Sequence, residues 1–356
     1  MGQFIFDLMA EGDYENIVFC QDKTLGLKAI IAIHDTTLGP AAGGIRMRPY
    51  ASEEDAIKDA VRLARAMTYK NAAAGLDYGG GKIVIIGDPK RDKHEGMLRA
   101  LARFIHRLGG LYLAGEDVGT TLEDMVVMRQ ETPYIVAVPE SMGGPGDTGF
   151  ATAFGVFQGI RACLNEVYGS PLPQGRSVAV QGIGSVGKAL VKLLVEAGAD
   201  VTIADIDAER AHALAADYHA IVASPAEIHA LAVDVYSPCA LGAILNDQTI
   251  PELRCKIVCG SANNQLAEGR HGEMLVERGI LYAPDYIVNA GGVISGVDSL
   301  HPGGFNRQRA LDKVAYIYRT MGVVAASAKT QSISTARAAA ILAEQRITMI
   351  RQVKMI

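Results

Sequence analysis

In the segment NIVFCQDKTLGLKAIIAIHDTT the apolar positions predict two strands around a short turn, the second running over 27–33. The period then changes. Ser52 with Asp55 three residues on forms a capping-box arrangement, and Ile57, Ala60, Val61, Ala64 and Met67 follow at spacings of three and four. That spacing predicts an amphipathic helix ending near Lys70. A strand over 82–86 follows the run of three glycines. Next comes a helix burying Met97, Leu98, Leu101, Phe104 and Ile105, then a short strand in LYLAGEDVG. Strands and helices mix here without a regular beat.

From about residue 150 strand and helix alternate at short intervals, the sequence form of a parallel doubly wound sheet. At 356 residues the chain exceeds what one core comfortably supports. The best boundary is SMGGPGDTG at 141–149, where few side chains are available to pack. The expected fold class is α/β with two domains and a cleft between them. Residues 1–146 would form a mixed α/β substrate domain and 147–330 a Rossmann-type doubly wound domain, with a helical segment over 331–356 packing back across both.

Composition narrows the function. Hydrophobic residues at 49% and charged residues at 21% describe a globular chain with large cores. A net charge of -5 with interspersed signs argues against a nucleic-acid surface, which needs clustered Lys and Arg. No apolar run reaches the ~18 residues of a membrane span, and MGQFIFDLMAEGDY carries acids where a signal peptide would be basic. The expectation is a cytoplasmic protein. Cys20, Cys163, Cys239, Cys255 and Cys259 form no C-x-x-C pair and have no His at zinc spacing, so no metal site is expected. His34, within a strand, reads as a core histidine.

Two motifs carry chemistry. LDYGGGKIVI places Gly79, Gly80 and Gly81 directly before Lys82. It is not a phosphate-binding P-loop, because Leu76 stands where the leading glycine should be and Ile83 where a hydroxyl would reach magnesium. Two readings stay open: a tight turn opening the strand, or an amine that a substrate must approach closely. The second motif is stronger. A strand over 178–181 leads into Gly182-x-Gly184-x-x-Gly187, a helix, a strand over 201–204 and then Asp205. In that context the glycines admit a pyrophosphate to the backbone and helix terminus, and the acid receives the adenosine ribose. Ile206 follows Asp205 where an Arg would favour a 2′-phosphate, so NAD is expected rather than NADP. Given a nicotinamide, the candidates for holding substrate and moving protons are Lys70, Lys82, Glu116 and Asp117.

The ordered set IAIHDTTLGPAAGGIRM, MTYKNAAAGLDYGGGK, GEDVGT, VAVQGIGSVG, PCALGAILND, GSANNQL and YAPDYIVNAGGV resembles the leucine/phenylalanine/valine dehydrogenases, the branch of amino-acid dehydrogenases related to glutamate dehydrogenase. The resemblance covers roughly residues 10–350. It implies reversible NAD-dependent oxidative deamination of an L-amino acid to a 2-oxo acid and ammonia. By that resemblance Lys70 binds the substrate carboxylate, Lys82 is the acid/base and Asp117 assists it. Ala42, Gly43, Gly44, Met67, Gly115, Asn263, Val293 and Gly296 line the substrate. Gly182, Gly184, Ser185, Val186, Gly187, Asp205, Ile206, Thr152, Cys239, Ala240, Asn264 and Asn289 hold the cofactor. The triple glycine is then expected to let substrate lie against the backbone. Burial and a second cation such as Lys70 are expected to lower the Lys82 pKa. The family assembles as octamers or similar rings, so a homo-oligomer is implied. The stretch STARAAAILAEQRITMIRQ, with Ala338, Ile341 and Leu342 on one face, is expected to pack on its own molecule or a neighbouring subunit.

Specificity is expected at positions where methyl groups are missing. Ala42 stands where leucine-preferring relatives have Leu, Gly115 where they have Ala, and Gly296 where Val is frequent, whereas Val293 is leucine-like. Together these predict a wide pocket for large apolar side chains, aromatic ones included. Two other readings stand beside this one: a hydroxy-acid or polyol dehydrogenase on the same plan, and a non-catalytic NAD-responsive module.

Overall fold

The structure, a computed structural model, describes residues 2–354. The chain divides into two compact units. One comprises the residues through Asp147, together with Ser295–Arg307 and the residues from Ala343 onward; the other comprises Thr148–Ile294 and Gln308–Leu342. The carboxy-terminal segment expected from 331 is thus shared between them.

The first unit opens with α1 (Gly2–Gly12), β1 (Asn16–Asp22), β2 (Leu27–Asp35), β3 (Ala41–Arg48), α2 (Glu53–Ala73), β4 (Gly79–Ile86), α3 (Glu95–Arg107), β5 (Tyr112–Glu116) and α4 (Leu122–Arg129). Its sheet runs β1-β2-β4-β3-β5, with β3 parallel to both β4 and β5 and the β1–β2 and β2–β4 pairs antiparallel. Period two sorts the side chains. Ile31, Ile33, Ile45, Ile83, Ile85, Tyr112 and Ala114 join Met97, Leu101, Ile105 and Met125 in a core on the α3/α4 face. Ile30, Ala32 and Val84 pack instead on Ala56, Ile57, Ala60, Val61 and Ala64 of α2. The helix is capped by Ser52, whose side chain accepts from the Asp55 amide, and it continues to Ala73 rather than ending near Lys70. Four of its five expected apolar positions are buried, and Met67 is half-exposed.

The three glycines belong to β4 itself rather than to a turn before it. A Cβ on Gly80 would lie 2.0 Å from the Thr68 amide nitrogen of α2, and one on Gly81 2.5 Å from the Tyr112 ring. One on Gly79 would lie 2.1 Å from the Asp35 carbonyl oxygen. The expectation that these positions are bare for a substrate is therefore corrected. They are bare because helix and strands pack on them closer than any side chain allows.

The second unit contains α5 (Gly149–Tyr168), β6 (Ser177–Gln181), α6 (Ser185–Glu196), β7 (Asp200–Ala204), α7 (Ala208–Tyr218), β8 (Ile221–Val222), β9 (Val235–Pro238), β10 (Ile257–Val258), α8 (Arg270–Glu277), β11 (Leu281–Tyr282) and α9 (Asp285–Val288). Along the chain come next α10 (Gly291–Asp298), α11 (Arg307–Ala315), α12 (Ile317–Gln331) and α13 (Thr335–Lys354), of which Gln308–Leu342 belongs to this unit. Its sheet has the order β11-β10-β9-β6-β7-β8 and is parallel throughout. The order reverses at β6, which has β7 on one side and β9 on the other. That is the switch point at which open α/β sheets bind ligands. From Ala343 the last helix packs on the first unit: Ala343, Ile347 and Ile350 meet Leu38, Ala72 and Tyr69, and Arg346 binds the Ala72 and Leu76 carbonyls. Among the described residues no helix is long and apolar enough to cross a membrane.

Candidate active site

On the α2 face of the first sheet, period two aligns Ala42, Gly44 and Arg46 of β3 with Gly80 and Lys82 of β4 and Gly115 of β5. Lys82 is 5% exposed, and its Nζ lies 2.7 Å from Asp117 Oδ2 just past the end of β5. A Cβ on Gly44 would come within 3.2 Å of that amine and 2.8 Å of Asp117 Cβ, so glycine here makes room for the pair. Gly43 points to the opposite face, where the Gly81 carbonyl and Tyr112 hydroxyl occupy the space of a side chain. Its glycine identity is a demand of the fold.

The same Asp117 oxygen also accepts from Arg46 Nε at 2.9 Å. Arg46 Nη1 reaches Asp59 Oδ2 of α2 at 3.3 Å, and Asp59 accepts further from the Tyr50 hydroxyl and from Arg62. Asp117 is framed from behind by Thr120, whose hydroxyl accepts from the Asp117 amide. The electrostatics follow from this cluster. Burial lowers the Lys82 pKa, Asp117 opposes the shift, and Arg46 adds to it. Arg46 is therefore a second cation beside Lys82 that the sequence reading did not name. Burial pushes the Asp117 carboxyl up but is outweighed by Lys82 and Arg46, which bring it down to about 2. Glu116 goes the other way, raised by burial and by the nearby Asp147, Glu123 and Asp124. Lys70 and Met67 lie half-exposed on α2. Beside Lys70, the buried Asn71 donates to the Ala42 and Gly79 carbonyls and ties the helix to β3 and β4.

Gly115 and Gly296 differ from the packed glycines. The nearest atom to a Cβ at Gly115 is Ala137 Cβ at 3.5 Å, and at Gly296 it is Val136 Cγ2 at 3.8 Å. Both are ordinary contacts, so neither position needs to be glycine for packing.

In the second unit the three motif glycines have separate tasks. Gly182 has φ +93°, and a Cβ there would meet Ala240 at 2.6 Å. Gly187 lies against the Gly182 carbonyl, bringing α6 close to β6. Nothing lies within 4 Å of a Cβ on Gly184, the N-cap of α6, so the backbone beside Ser185 and Val186 is open. Cys239 donates its amide to the Gln181 carbonyl, which holds the loop after β9 against this turn. Asp205 accepts from the Ile183 and Asp207 amides and from Arg210, which together overcome burial and keep it ionised. Ile206 is 94% exposed.

Farther along, Asn289 Nδ2 donates to Asn263 Oδ1 at 2.9 Å and to the Ser261 carbonyl, while its own Oδ1 is buried with no hydrogen-bond partner. Asn264 adopts a left-handed conformation at φ +53°, with its amide donated to Asp285. Thr152 of α5 borders the first turn of α10, since a Cβ on Gly292 would lie 3.2 Å from its hydroxyl. Val293 is in the next position on that helix. Sequence reasoning missed Arg46, Asp59, Asp285 and Arg210. The signal for Arg46 was its place two residues after Gly44 on a strand, and therefore on the same face.

The residues present fit a dinucleotide. The backbone at Gly184 is open, a carboxylate ends β7, and a buried amide oxygen at Asn289 lacks a donor. A parallel doubly wound sheet whose first turn is glycine-rich and whose next strand ends on a carboxylate is the form of a dinucleotide-binding enzyme. The family model Glu/Leu/Phe/Val dehydrogenase, dimerisation domain, matches residues 15–134, and the model Glutamate/Leucine/Phenylalanine/Valine dehydrogenase matches residues 143–209 and 203–353. Leucine dehydrogenase of Thermoactinomyces intermedius is 53% identical over 350 residues, covering 98% of this chain and 95% of the relative. Phenylalanine dehydrogenase of Caldalkalibacillus thermarum is 47% identical over 354 residues, covering 98% and 94%. The crystal structure of L-tryptophan dehydrogenase from Nostoc punctiforme superposes with a TM-score of 0.85 at 42% identity, covering 98% of this chain and 99% of that one. The chain belongs to the glutamate/leucine/phenylalanine/valine dehydrogenase family. It is an NAD-dependent dehydrogenase acting on an apolar amino acid.

Proposed function

We propose that the substrates are large apolar L-amino acids, phenylalanine as well as leucine, and that Lys82 is the acid/base in their reversible oxidative deamination. The observation that carries this reading is the Lys82 amine, buried against Asp117 on a sheet face where Ala42, Gly44 and Gly115 carry a methyl group or no side chain. An amine whose charged form is disfavoured can accept a proton at a pH where an exposed lysine cannot.

When bound, NAD would accept the α-hydrogen as hydride from the neutral amino group's carbon, which leaves a protonated imine. Lys82 takes a proton from the water that adds to the imine carbon, returns it to the departing nitrogen so that ammonia leaves, and takes up the remaining hydroxyl proton as the 2-oxo acid forms. Asp117 steadies the amine during that exchange. Lys70 pairs with the substrate carboxylate, and Asn263 orients the groups on the α-carbon. Gly182, Gly184, Ser185, Val186 and Gly187 would hold the pyrophosphate and Asp205 the adenosine ribose. Thr152, Ile206, Cys239, Ala240, Asn264 and Asn289 would complete the cofactor site.

The open positions at Gly115 and Gly296 support a wide side-chain pocket. The family model's description as a dimerisation domain supports a homo-oligomer. Free thiols at all five cysteines suit a reducing compartment, the cytoplasm. The test is NAD reduction with leucine, valine, isoleucine, phenylalanine and tryptophan under identical conditions. The wide pocket predicts kcat/KM for phenylalanine at least equal to that for leucine. A lower value overturns the pocket reading and leaves the family assignment standing.

A further inference from the structure

We infer that Arg46 is a positioning residue for the reaction: by sharing Asp117 Oδ2 with the Lys82 amine, and being anchored in turn on Asp59, it keeps that amine available as a proton acceptor. The inference rests on the acid/base role proposed for Lys82.

A lysine held at 2.7 Å by a carboxylate of its own would be fixed as an ammonium, since an opposite charge at that distance favours the charged form. A general base so locked would be of little use near neutral pH. Here the carboxylate is divided. One oxygen accepts from Lys82 at 2.7 Å and from Arg46 at 2.9 Å. Arg46 is permanently cationic, and its side chain is even more enclosed than that of Asp117. The guanidinium therefore satisfies Asp117 and repels a proton on Lys82 at the same time.

Its own orientation is set from α2, because Asp59 receives Arg46 Nη1 at 3.3 Å while the Tyr50 hydroxyl and Arg62 saturate the rest of that carboxylate. The groups facing Lys82 can be named element by element. Arg46 comes from β3, Asp117 from the end of β5, and Asp59 from α2, where Lys70 also lies. From β2 come the apolar Ala32, directly paired with Lys82, and His34, which is engaged with Thr68. The Tyr112 phenol is raised far above its ordinary range by burial and stays neutral. Arg46 is a cation that acts directly on both partners of the pair.

The experiment compares wild type, Arg46→Met and Arg46→Lys by two readouts. One is the acid limb of the pH profile of kcat/KM for deamination. The other is the pH midpoint for acetylation of Lys82 by a small acylating reagent, read by mass spectrometry and independent of turnover. The expected result in Arg46→Met is that both midpoints rise by about one pH unit or more, a tenfold loss of rate below the limb. Arg46→Lys, which keeps a charge, should stay near wild type. Unchanged or lowered labelling midpoints in folded Arg46→Met overturn the inference. If labelling shifts while the rate profile does not, Arg46 governs the amine as inferred, but Lys82 is not the group whose proton limits the reaction. Should Arg46→Met not fold, Arg46→Gln, which keeps a donor in the same place without the charge, must raise the labelling midpoint in the same direction; an unmoved or lowered midpoint there also overturns the inference.

Discussion

Lys82 Nζ and Asp117 Oδ2 lie 2.7 Å apart on the sheet face that α2 covers, and the glycine opposite them, Gly44, has no side chain because the pair occupies its place. The strand register produces this meeting. Gly44 pairs with Gly115, so two bare backbones flank the amine, and Asp117, two residues past Gly115, falls on the same side.

The glycines divide into two kinds with opposite mutational behaviour. Gly80→Ala would force a methyl to within 2.0 Å of the α2 backbone, and overpacking of this kind costs typically ~1–3 kcal/mol or more. Gly115→Ala meets only an ordinary contact. Thermal melts should show a clear drop for Gly80→Ala and near wild-type behaviour for Gly115→Ala. Equal melting temperatures for the two would show that α2 gives way at no cost.

Gly115→Ala should nonetheless change selectivity. One methylene in an apolar pocket is worth ~1–3 kcal/mol of discrimination, so the ratio of kcat/KM for phenylalanine to that for leucine should fall about tenfold or more. A ratio unchanged from wild type removes Gly115 from the pocket.

Acid stability should carry the mark of Asp117. Its carboxyl is held down to about 2 in the fold, against ~3.9 when unfolded. A depressed folded value contributes stability above the unfolded value that is lost as pH falls from ~4 toward ~2, on the order of 2–3 kcal/mol. Urea midpoints followed by tyrosine fluorescence, in a chain without tryptophan, should therefore fall more steeply below pH ~4 for wild type than for Asp117→Asn. Parallel curves would mean that the carboxylate is not held as the geometry indicates.

Cofactor choice should turn on Asp205 and Arg210 together. Arg210 lies 2.6 Å from Asp205, so Asp205→Ser would remove the ribose acceptor and release a guanidinium at the same point. Hydrogen bonds to a charged group contribute ~1.5–3 kcal/mol, hence kcat/KM for NAD should fall about ten- to a hundredfold while that for NADP rises. A variant that loses NAD without gaining NADP would separate Arg210 from the 2′ position.

Much of this was legible in the sequence because local rules and fold agree. The apolar run in LKAIIAIHD and the spacing in α2 reported burial directly, and the glycines at 182, 184 and 187 fall in the turn between β6 and α6 where their spacing placed them. What was not legible depends on register. The triple glycine read as a turn or a substrate floor, because a sequence does not show that Thr68 and Tyr112 press against those positions from α2 and β5. Arg46 looked like an ordinary strand residue, since its value comes from Asp117, seventy-one positions away, and from Asp59 on a helix.

The most direct test of the account is Lys82→Ala, assayed for deamination of leucine and phenylalanine and, separately, for NAD affinity. Removing a general acid/base costs typically ~10²–10⁴-fold. The account predicts turnover reduced at least that far with the NAD dissociation constant unchanged, because the residues proposed to hold the cofactor lie in the other unit. Turnover within about tenfold of wild type, well short of that range, would contradict it.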